Sequence, residues 1–193
     1  MKSVVFATAN PHKVREVNEL LGDRYDIKSL QDIGCTEDIP ETQNTIMGNA
    51  LQKARYLKHH YGHDCFAEDT GLEIDALEGA PGVYTARYAG PQRDPLANMQ
   101  KVLEELADTN MRSARFRTVI ALILDGEEHV FEGIAEGTIA EQPSGDKGFG
   151  YDPIFIPQGY DQTFAEMDAD EKNAISHRGK AVDQLAAFLQ SYY

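Results

Sequence analysis

Acidic side chains at two points of the chain could hold a divalent metal ion. Glu41 lies in a short polar segment, and Glu68 and Asp69 directly follow an apolar run. Clustered carboxylates repel one another and resist ionising together unless a cation neutralises them. Oxygen ligands presented one or two at a time beside substrate phosphates suit Mg²⁺. The alternative, in a chain rich in acids, is that all three residues are ordinary surface acids.

A second segment, from Thr8 to Lys13, could bind phosphate. It joins an apolar run to an amphipathic pattern, which predicts a turn from a strand into a helix. Such a turn presents free backbone N–H groups and the positive end of the helix dipole, and both favour an anion. Thr8 and Asn10 could add side-chain donors, and Lys13 a point charge. The alternative is that Asn10 only caps the helix while Lys13 is solvated.

Lys53 falls in the middle of the next amphipathic pattern, so it either faces the same cleft or extends to solvent. The Thr8–Lys13 turn contains no glycine-rich loop, which excludes a Walker-type or dinucleotide-binding fingerprint. Neither the serines nor the histidines form a nucleophile set or a zinc-ligand spacing. Any phosphate chemistry is therefore expected to rely on lysines and on a metal bound by carboxylates.

Two later segments have the composition of a purine-binding surface. In the run from Gly148 to Pro153, glycines flank Phe149, so the backbone can bend and leave the ring open for stacking on a base. The alternative is a Gly/Pro turn whose aromatic residues lie in the core. Lys172 and the run Ser176-His177-Arg178 supply polar donors just before the last helix. Donors favour a 6-keto purine over adenine, although Ser176 could simply cap that helix.

The elements that must position these residues follow from hydrophobic periodicity and from turn signals. Strands interleave with helices, and Asp125-Gly126 predicts one hairpin. The pattern therefore predicts an α/β fold with a mixed sheet. The predicted strands are 3–7, 25–30, 65–67, 72–77, 116–124, 129–139 and 154–156, and the predicted helices are 11–21, 45–61, 95–106 (with Leu96, Met99, Val102, Leu103 and Leu106 inward) and 181–189.

Composition narrows the class of protein. The chain has 193 residues and is expected to form a single domain. Its formal net charge of −14 opposes binding to nucleic acid, which requires a basic surface. No apolar run is long enough to span a membrane, and a cytosolic protein is expected. Cys35 and Cys65 are too few for a disulfide framework and are expected to be buried.

The motifs resemble, in their order along the chain, those of the inosine triphosphate pyrophosphatase family. The resemblance extends from Ser3 to the C-terminal helix. It rests on Thr8-x-Asn10-x-x-Lys13, Glu41-Thr42, Asn49-Ala50-x-x-Lys53-Ala54, Glu68-Asp69-Thr70-Gly71-Leu72, Gly79-Ala80-Pro81-Gly82-Val83-Tyr84-Thr85-Ala86-Arg87-Tyr88, Gly148-Phe149-Gly150-Tyr151-Asp152-Pro153 and Ser176-His177-Arg178-Gly179.

The resemblance implies hydrolysis of non-standard purine nucleoside triphosphates (ITP, dITP and XTP) to the monophosphate and pyrophosphate. It implies an elongated α/β fold with a twisted mixed sheet, flanking helices and two lobes around a central cleft, and it implies a homodimer. Pyrophosphate release from modified pyrimidine triphosphates, or nucleotide binding without turnover, are the alternative functions.

The resemblance also implies roles for individual residues. Mg²⁺ would be held by Glu41 and Asp69, with Glu68 as a further candidate, and Asp69 would activate the attacking water. The implied substrate contacts are Thr8, Asn10, Lys13 and Lys53 to phosphate, Thr70 to the substrate, Phe149, Gly150, Tyr151 and Asp152 around the base, and Lys172, His177 and Arg178 to the base edge.

Overall fold

The computed structural model describes residues 3–192, and within them one mixed sheet is flanked by helices. The strand order is β2-β1-β3-β4-β5-β6; β1 pairs in parallel with β2 and β3, and β5 pairs antiparallel with β6. The predicted α/β class and mixed sheet are confirmed. The elements are β1 (Ser3–Phe6), α1 (Pro11–Leu21), β2 (Asp26–Lys28), α2 (Ile46–Tyr61), β3 (Cys65–Ile74), α3 (Pro95–Glu105), β4 (Ser113–Leu124), β5 (Glu127–Ile139), β6 (Phe155–Pro157), α4 (Ala169–Ile175) and α5 (His177–Tyr192).

The first two helices begin and end where local signals predict. Asn10 is the N-cap of α1 and Pro11 its first residue, and Gly22 ends it with a φ of 61°. The Thr45 side chain accepts a hydrogen bond at the start of α2, and Gly62 closes that helix in the left-handed conformation.

The structure differs from the predicted elements at several points. Residues 65–67 and 72–74 belong to one continuous strand, β3, because the acidic residues between them are paired and can be buried. The predicted strand 72–77 ends at Ile74, and Asp75–Leu77 form a 3-10 turn. Leu96, expected to face inward, is 72% exposed, since it lies in the first turn of α3, ahead of the buried face. The short helix α4, which carries Lys172, was not predicted.

The chain divides into two compact units. The first unit contains residues 3–69, 118–133 and 178–192, and the second contains 70–117 and 134–177. Each has its own apolar core. The core of the first unit is formed by Val4, Phe6, Val17, Leu21, Phe66, Ile120, Leu122, Leu124, Ala181, Val182, Leu185 and Leu189. That of the second is formed by Leu72, Ile74, Met99, Val102, Leu106, Ala114, Phe116, Ala135, Ile139, Tyr151, Ile154, Phe155, Phe164 and Met167.

Both cysteines are buried and unbridged, as predicted. Burial raises the pKa of the Cys65 thiol to about 12, so this side chain behaves as a small apolar residue. Across residues 3–192, no helix has both the length and the apolar character needed to cross a membrane.

Candidate active site

The turn between β1 and α1 is organised by side-chain caps. The Thr8 hydroxyl accepts a hydrogen bond from the Asn10 N–H (3.2 Å), and Asn10 Oδ1 accepts from the N–H groups of His12 (3.0 Å) and Lys13 (3.4 Å). Capping of α1 by Asn10 is thereby confirmed. The prediction of free N–H groups is wrong for these three, because the caps already use them. An anion here would depend on the side chains of Thr8, Asn10 and Lys13.

Lys13 does not extend into solvent but lies 2.5 Å from Glu68 Oε1. Glu68 is only 1% exposed, and its Oε2 accepts a hydrogen bond from Arg178 Nε at 2.7 Å. Burial alone would raise the pKa of Glu68, but Arg178 and Lys13 outweigh it and hold that pKa below its ordinary value. Glu68 therefore serves as a permanent counterion for two basic side chains.

Arg178 lies at the start of α5 and is 1% exposed. Its Nη1 donates to Glu16 Oε2 (2.6 Å), and its Nε and Nη2 face the two Glu68 oxygens (2.7 and 3.4 Å). Burial lowers the pKa of a guanidinium, but the two carboxylates reverse this and raise the pKa of Arg178. A contact between Arg178 and a base, as the resemblance implies, would require at least one of these ion pairs to open.

Lys53 joins the two carboxylates that the sequence predicts to hold a metal. Its ammonium lies 2.8 Å from Glu41 Oε1 and 3.8 Å from Asp69 Oδ1, and it donates to the backbone oxygen of Glu68 at 2.6 Å. The side chain is buried, so the solvated alternative for Lys53 is wrong. One lysine thus faces two acidic side chains, and the group retains excess negative charge.

The pKa of Asp69 is raised by burial and by this excess negative charge. Asp69 is 9% exposed. Burial raises its pKa to about 6, against the opposing effect of Lys53 and Lys13 and with a further rise from Glu41 and Glu68. A carboxyl group with this pKa can both lose and accept a proton near neutral pH, which suits a general base.

The donor set fits Mg²⁺ in the form used with nucleotide substrates. No group of three or more His, Cys, Asp or Glu side chains in residues 3–192 is arranged to hold a metal ion. Glu41 and Asp69, however, both approach Lys53, and Mg²⁺ is commonly bound by one or two carboxylates together with substrate phosphates and water. Glu68 fits less well as a ligand, because Arg178 and Lys13 already engage both of its oxygens.

The second unit contains an aromatic and basic cluster around Asp152. Asp152 Oδ2 accepts hydrogen bonds from Lys172 Nζ (2.7 Å) and from the Phe149 N–H (3.1 Å). Lys172 is buried, and its ammonium lies 5.0 Å from the centroid of the half-buried Phe149 ring. This distance permits a cation–π interaction. The cluster joins an aromatic ring, a cation and a carboxylate, which can together stack a base and bond to its edge.

The remaining predicted contacts of the second unit are placed differently. Tyr151 belongs to the apolar core, and its hydroxyl donates to the Thr85 backbone oxygen at 2.6 Å. For this ring the alternative of a core aromatic is confirmed. Gly150 is half-buried with a φ of 60°, and Thr70 is half-buried in β3. His177 is buried, with its ring stacked on Phe116 at 4.5 Å between centroids.

Sequence reasoning missed Glu16. This carboxylate lies on α1, one helical turn after Lys13, and it is the second partner of Arg178. The available signal was its spacing, since residues three apart share a helix face. An acidic residue on the buried side of a helix must be paired, and its partner proved to be distant in sequence.

Comparisons with known proteins match nearly the whole chain to one family. Residues 4–188 match the sequence model of the Ham1 family. A dITP/XTP pyrophosphatase of Christiangramia forsetii is 54% identical over 186 residues, which cover 96% of this chain and 98% of the relative. A dITP/XTP pyrophosphatase of Bacillus subtilis is 50% identical over 195 residues, covering 99% and 98%.

Two solved structures are also similar to this chain. The Staphylococcus aureus Ham1 protein is similar with a TM-score of 0.90 and 37% identity, covering 100% of both chains. A HAM1 protein from Coxiella burnetii gives a TM-score of 0.91 and 43% identity, covering 99% of this chain and 100% of that protein.

Proposed function

The chain belongs to the Ham1 family, and from this premise we propose that it hydrolyses dITP and XTP to the nucleoside monophosphate and pyrophosphate. Identity of at least half over nearly the whole length of curated dITP/XTP pyrophosphatases supports this activity. The observation that carries the chemistry is the pair of carboxylates, Glu41 and Asp69, that share Lys53.

In the first unit, Asp69 acts as the general base. It accepts a proton from a water molecule whose oxygen attacks the α-phosphorus, and the bond from that phosphorus to the bridging oxygen breaks. Pyrophosphate leaves with the bonding electron pair, and the water oxygen stays on the monophosphate. Glu41 and Asp69 would hold Mg²⁺, which when bound supplies Lewis-acid neutralisation of the triphosphate.

Positively charged side chains would neutralise part of the phosphate charge. Lys13 contacts the phosphates from the start of α1, with Thr8 and Asn10 as further side-chain partners, while Glu68 keeps the Lys13 ammonium in place. Lys53 separates the two metal-binding carboxylates and adds positive charge where the phosphates bind. Arg178 holds Glu68, and thereby Lys13, through its buried ion pairs.

The second unit recognises the base. Phe149 stacks on the purine ring, and Lys172 donates to the 6-keto oxygen while Asp152 fixes the lysine. Adenine presents an amino group at this position, so the lysine donor would be left unpaired and adenine is disfavoured. Gly150 and Tyr151 shape the Phe149 turn, and Thr70 contacts the substrate from β3. His177 remains a predicted base contact, and Arg178 is one only if an ion pair with Glu16 or Glu68 opens.

The homodimer and the cytoplasmic location that the family resemblance implies also belong to this proposal. The net charge of −14 supports a small-molecule substrate rather than nucleic acid. Sedimentation analysis tests the dimer directly: a single species of twice the chain mass of 21.4 kDa is expected.

The test is release of pyrophosphate from dITP, XTP, GTP, ATP and dUTP, with Mg²⁺ and again with EDTA. Rapid release from dITP and XTP that requires Mg²⁺ is the expected result. Preferred turnover of pyrimidine triphosphates would favour the alternative pyrophosphatase. Thermal stabilisation by dITP without any release would favour a nucleotide-binding protein. Asp69→Asn should abolish release, and turnover that survives this change would refute its assignment as base.

A further inference from the structure

The segment that carries Glu41 has neither helix nor strand between Cys35 and Thr45. Its path depends on side chains of the helix that follows it. Gln52 on α2 binds Thr42 at two points: Gln52 Oε1 accepts the Thr42 N–H, and Gln52 Nε2 donates to the Thr42 hydroxyl, both at 2.8 Å. A two-point contact fixes both the position and the rotation of the residue next to Glu41.

The neighbours of Thr42 are held in the same way. Asn49 Oδ1 accepts a hydrogen bond from the Gln43 N–H at 2.9 Å, and Lys53 binds Glu41 at 2.8 Å. The consecutive residues 41, 42 and 43 are therefore each bound by one side chain of α2. The three side chains of α2 are Asn49, Gln52 and Lys53.

The helix surface is also shaped for close approach. A Cβ atom at Gly48 would lie 2.9 Å from Gln43 Cβ and 2.8 Å from Thr45 Oγ1. Both distances are shorter than a non-bonded contact to a Cβ atom, so a side chain at position 48 would clash. The segment therefore packs on α2 at a position where the helix has no side chain. Further along, Tyr61 and Tyr56 bind the Glu37 carboxylate at 2.7 and 3.1 Å.

The contacts from α2 restrict the positions that the Glu41 carboxylate can adopt. A segment without internal regular structure samples many conformations, and each conformation that displaces Glu41 removes one of the two metal carboxylates. Contacts that restrict the segment in the metal-free protein prepare the site, and preparation of a site increases affinity without new contacts to the ligand.

We propose that Gln52 is a positioning residue, which through Thr42 places the Glu41 carboxylate and so sets the affinity of the enzyme for its divalent metal. This inference rests on the proposed function, because it takes Glu41 and Asp69 as the metal-binding pair. In this proposal Gln52 acts through Thr42 and is not itself a metal ligand.

The experiment compares Gln52→Ala with Gln100→Ala. Gln100 is a matched control, since it is a helical glutamine whose amide donates to Glu104 of its own helix. Binding of Mn²⁺ to the nucleotide-free protein is measured by electron paramagnetic resonance. Hydrogen exchange of residues 36–43 and the Mg²⁺ dependence of dITP hydrolysis are measured on the same samples.

Gln52→Ala is expected to weaken Mn²⁺ binding roughly tenfold, as follows from the loss of two ordinary hydrogen bonds, and to speed exchange in residues 36–43. At saturating Mg²⁺, kcat should stay within roughly twofold of the unchanged protein, because bound metal restores the place of Glu41. Gln100→Ala should match the unchanged protein in all three measurements.

Two substitutions of Thr42 distinguish loss of the contact with Gln52 from a folding defect. Thr42→Ser keeps the hydroxyl and should preserve Mn²⁺ affinity, whereas Thr42→Val removes it and should weaken binding in the same direction as Gln52→Ala. Unchanged Mn²⁺ affinity in both Gln52→Ala and Thr42→Val, with hydrolysis intact, would overturn the inference alone. If the unchanged protein neither binds Mn²⁺ nor releases pyrophosphate, the proposed function fails and the inference fails with it. Mg²⁺-dependent release without Mn²⁺ binding to the nucleotide-free protein would overturn the inference alone.

Discussion

Replacement of Asp69 by asparagine should stabilise the metal-free protein at pH 8. Burial raises the pKa of Asp69 from 3.8 to about 6, so the folded protein holds this proton more tightly than the unfolded chain. The free energy of unfolding therefore falls as the pH rises through this range, and the full penalty is present above pH 7. Asparagine has nearly the same shape and carries no charge to bury.

The size of the effect follows from the shift. A difference of about 2 pKa units corresponds to about 3 kcal/mol at pH 8, a net figure that already includes the attraction of the carboxylate to Lys53. At pH 5 the carboxyl group is still mostly protonated in the folded state and only about half of this penalty is present, so the stability gap should widen by the other half, about 1–2 kcal/mol, from pH 5 to pH 8.

The assay is urea unfolding in EDTA at pH 5 and pH 8. Asp75→Asn is the control with the opposite sign, because hydrogen bonds from Ser113 and Arg115 lower the pKa of Asp75. That variant should be no more stable than the unchanged protein at pH 8. Added Mg²⁺ should narrow the gap for Asp69→Asn by stabilising only the protein that binds it. If Asp69→Asn is less stable than the unchanged protein at pH 8 in EDTA, burial of an incompletely paired carboxylate is the wrong description of this site.

Three further predictions test other parts of the structure. Arg178→Ala leaves Glu16 and Glu68 buried without their shared cation, so urea unfolding should show a loss of about 3–5 kcal/mol, and unchanged stability would contradict the pairing. The Cys65 thiol, whose pKa burial raises to about 12, should react with a thiol reagent only after unfolding, and rapid labelling of the folded protein would disprove its burial. Phe149→Ala should raise the KM for dITP by about 5- to 150-fold, from a stacking contribution of about 1–3 kcal/mol, and a KM equal to that of the unchanged protein would exclude the ring as the stacking platform.

The sequence predicts those parts of the fold that local signals determine. The bounds of α1 follow from Asn10-Pro11 and Gly22, which act on their immediate neighbours. The continuity of β3 could not be predicted in this way. Acidic residues inside an apolar run look like a break, and Glu68 can be buried because Lys13 and Arg178, the latter 110 positions away, both pair with it. Pairing over such a distance leaves no trace in periodicity.

The same limit applies to the candidate site. The residue types marked Glu41, Lys53 and Asp69 as candidates but left ordinary surface acids and a solvated lysine as alternatives, and their roles came from the family resemblance. The structure brings the three side chains together. The contact of Gln52 with Thr42 was not predictable, since an amide on a helix usually faces solvent and the path of an irregular segment is not encoded in its composition. Sequence therefore indicated candidate reacting groups more readily than the side chains that hold them in place.

The central claim, water attack at the α-phosphorus, is tested most directly by hydrolysis of dITP in ¹⁸O-labelled water followed by mass spectrometry of both products. The account predicts one labelled oxygen in dIMP and none in pyrophosphate. Label in pyrophosphate, or formation of dIDP and inorganic phosphate, would show attack at another phosphorus and contradict the mechanism assigned to Asp69.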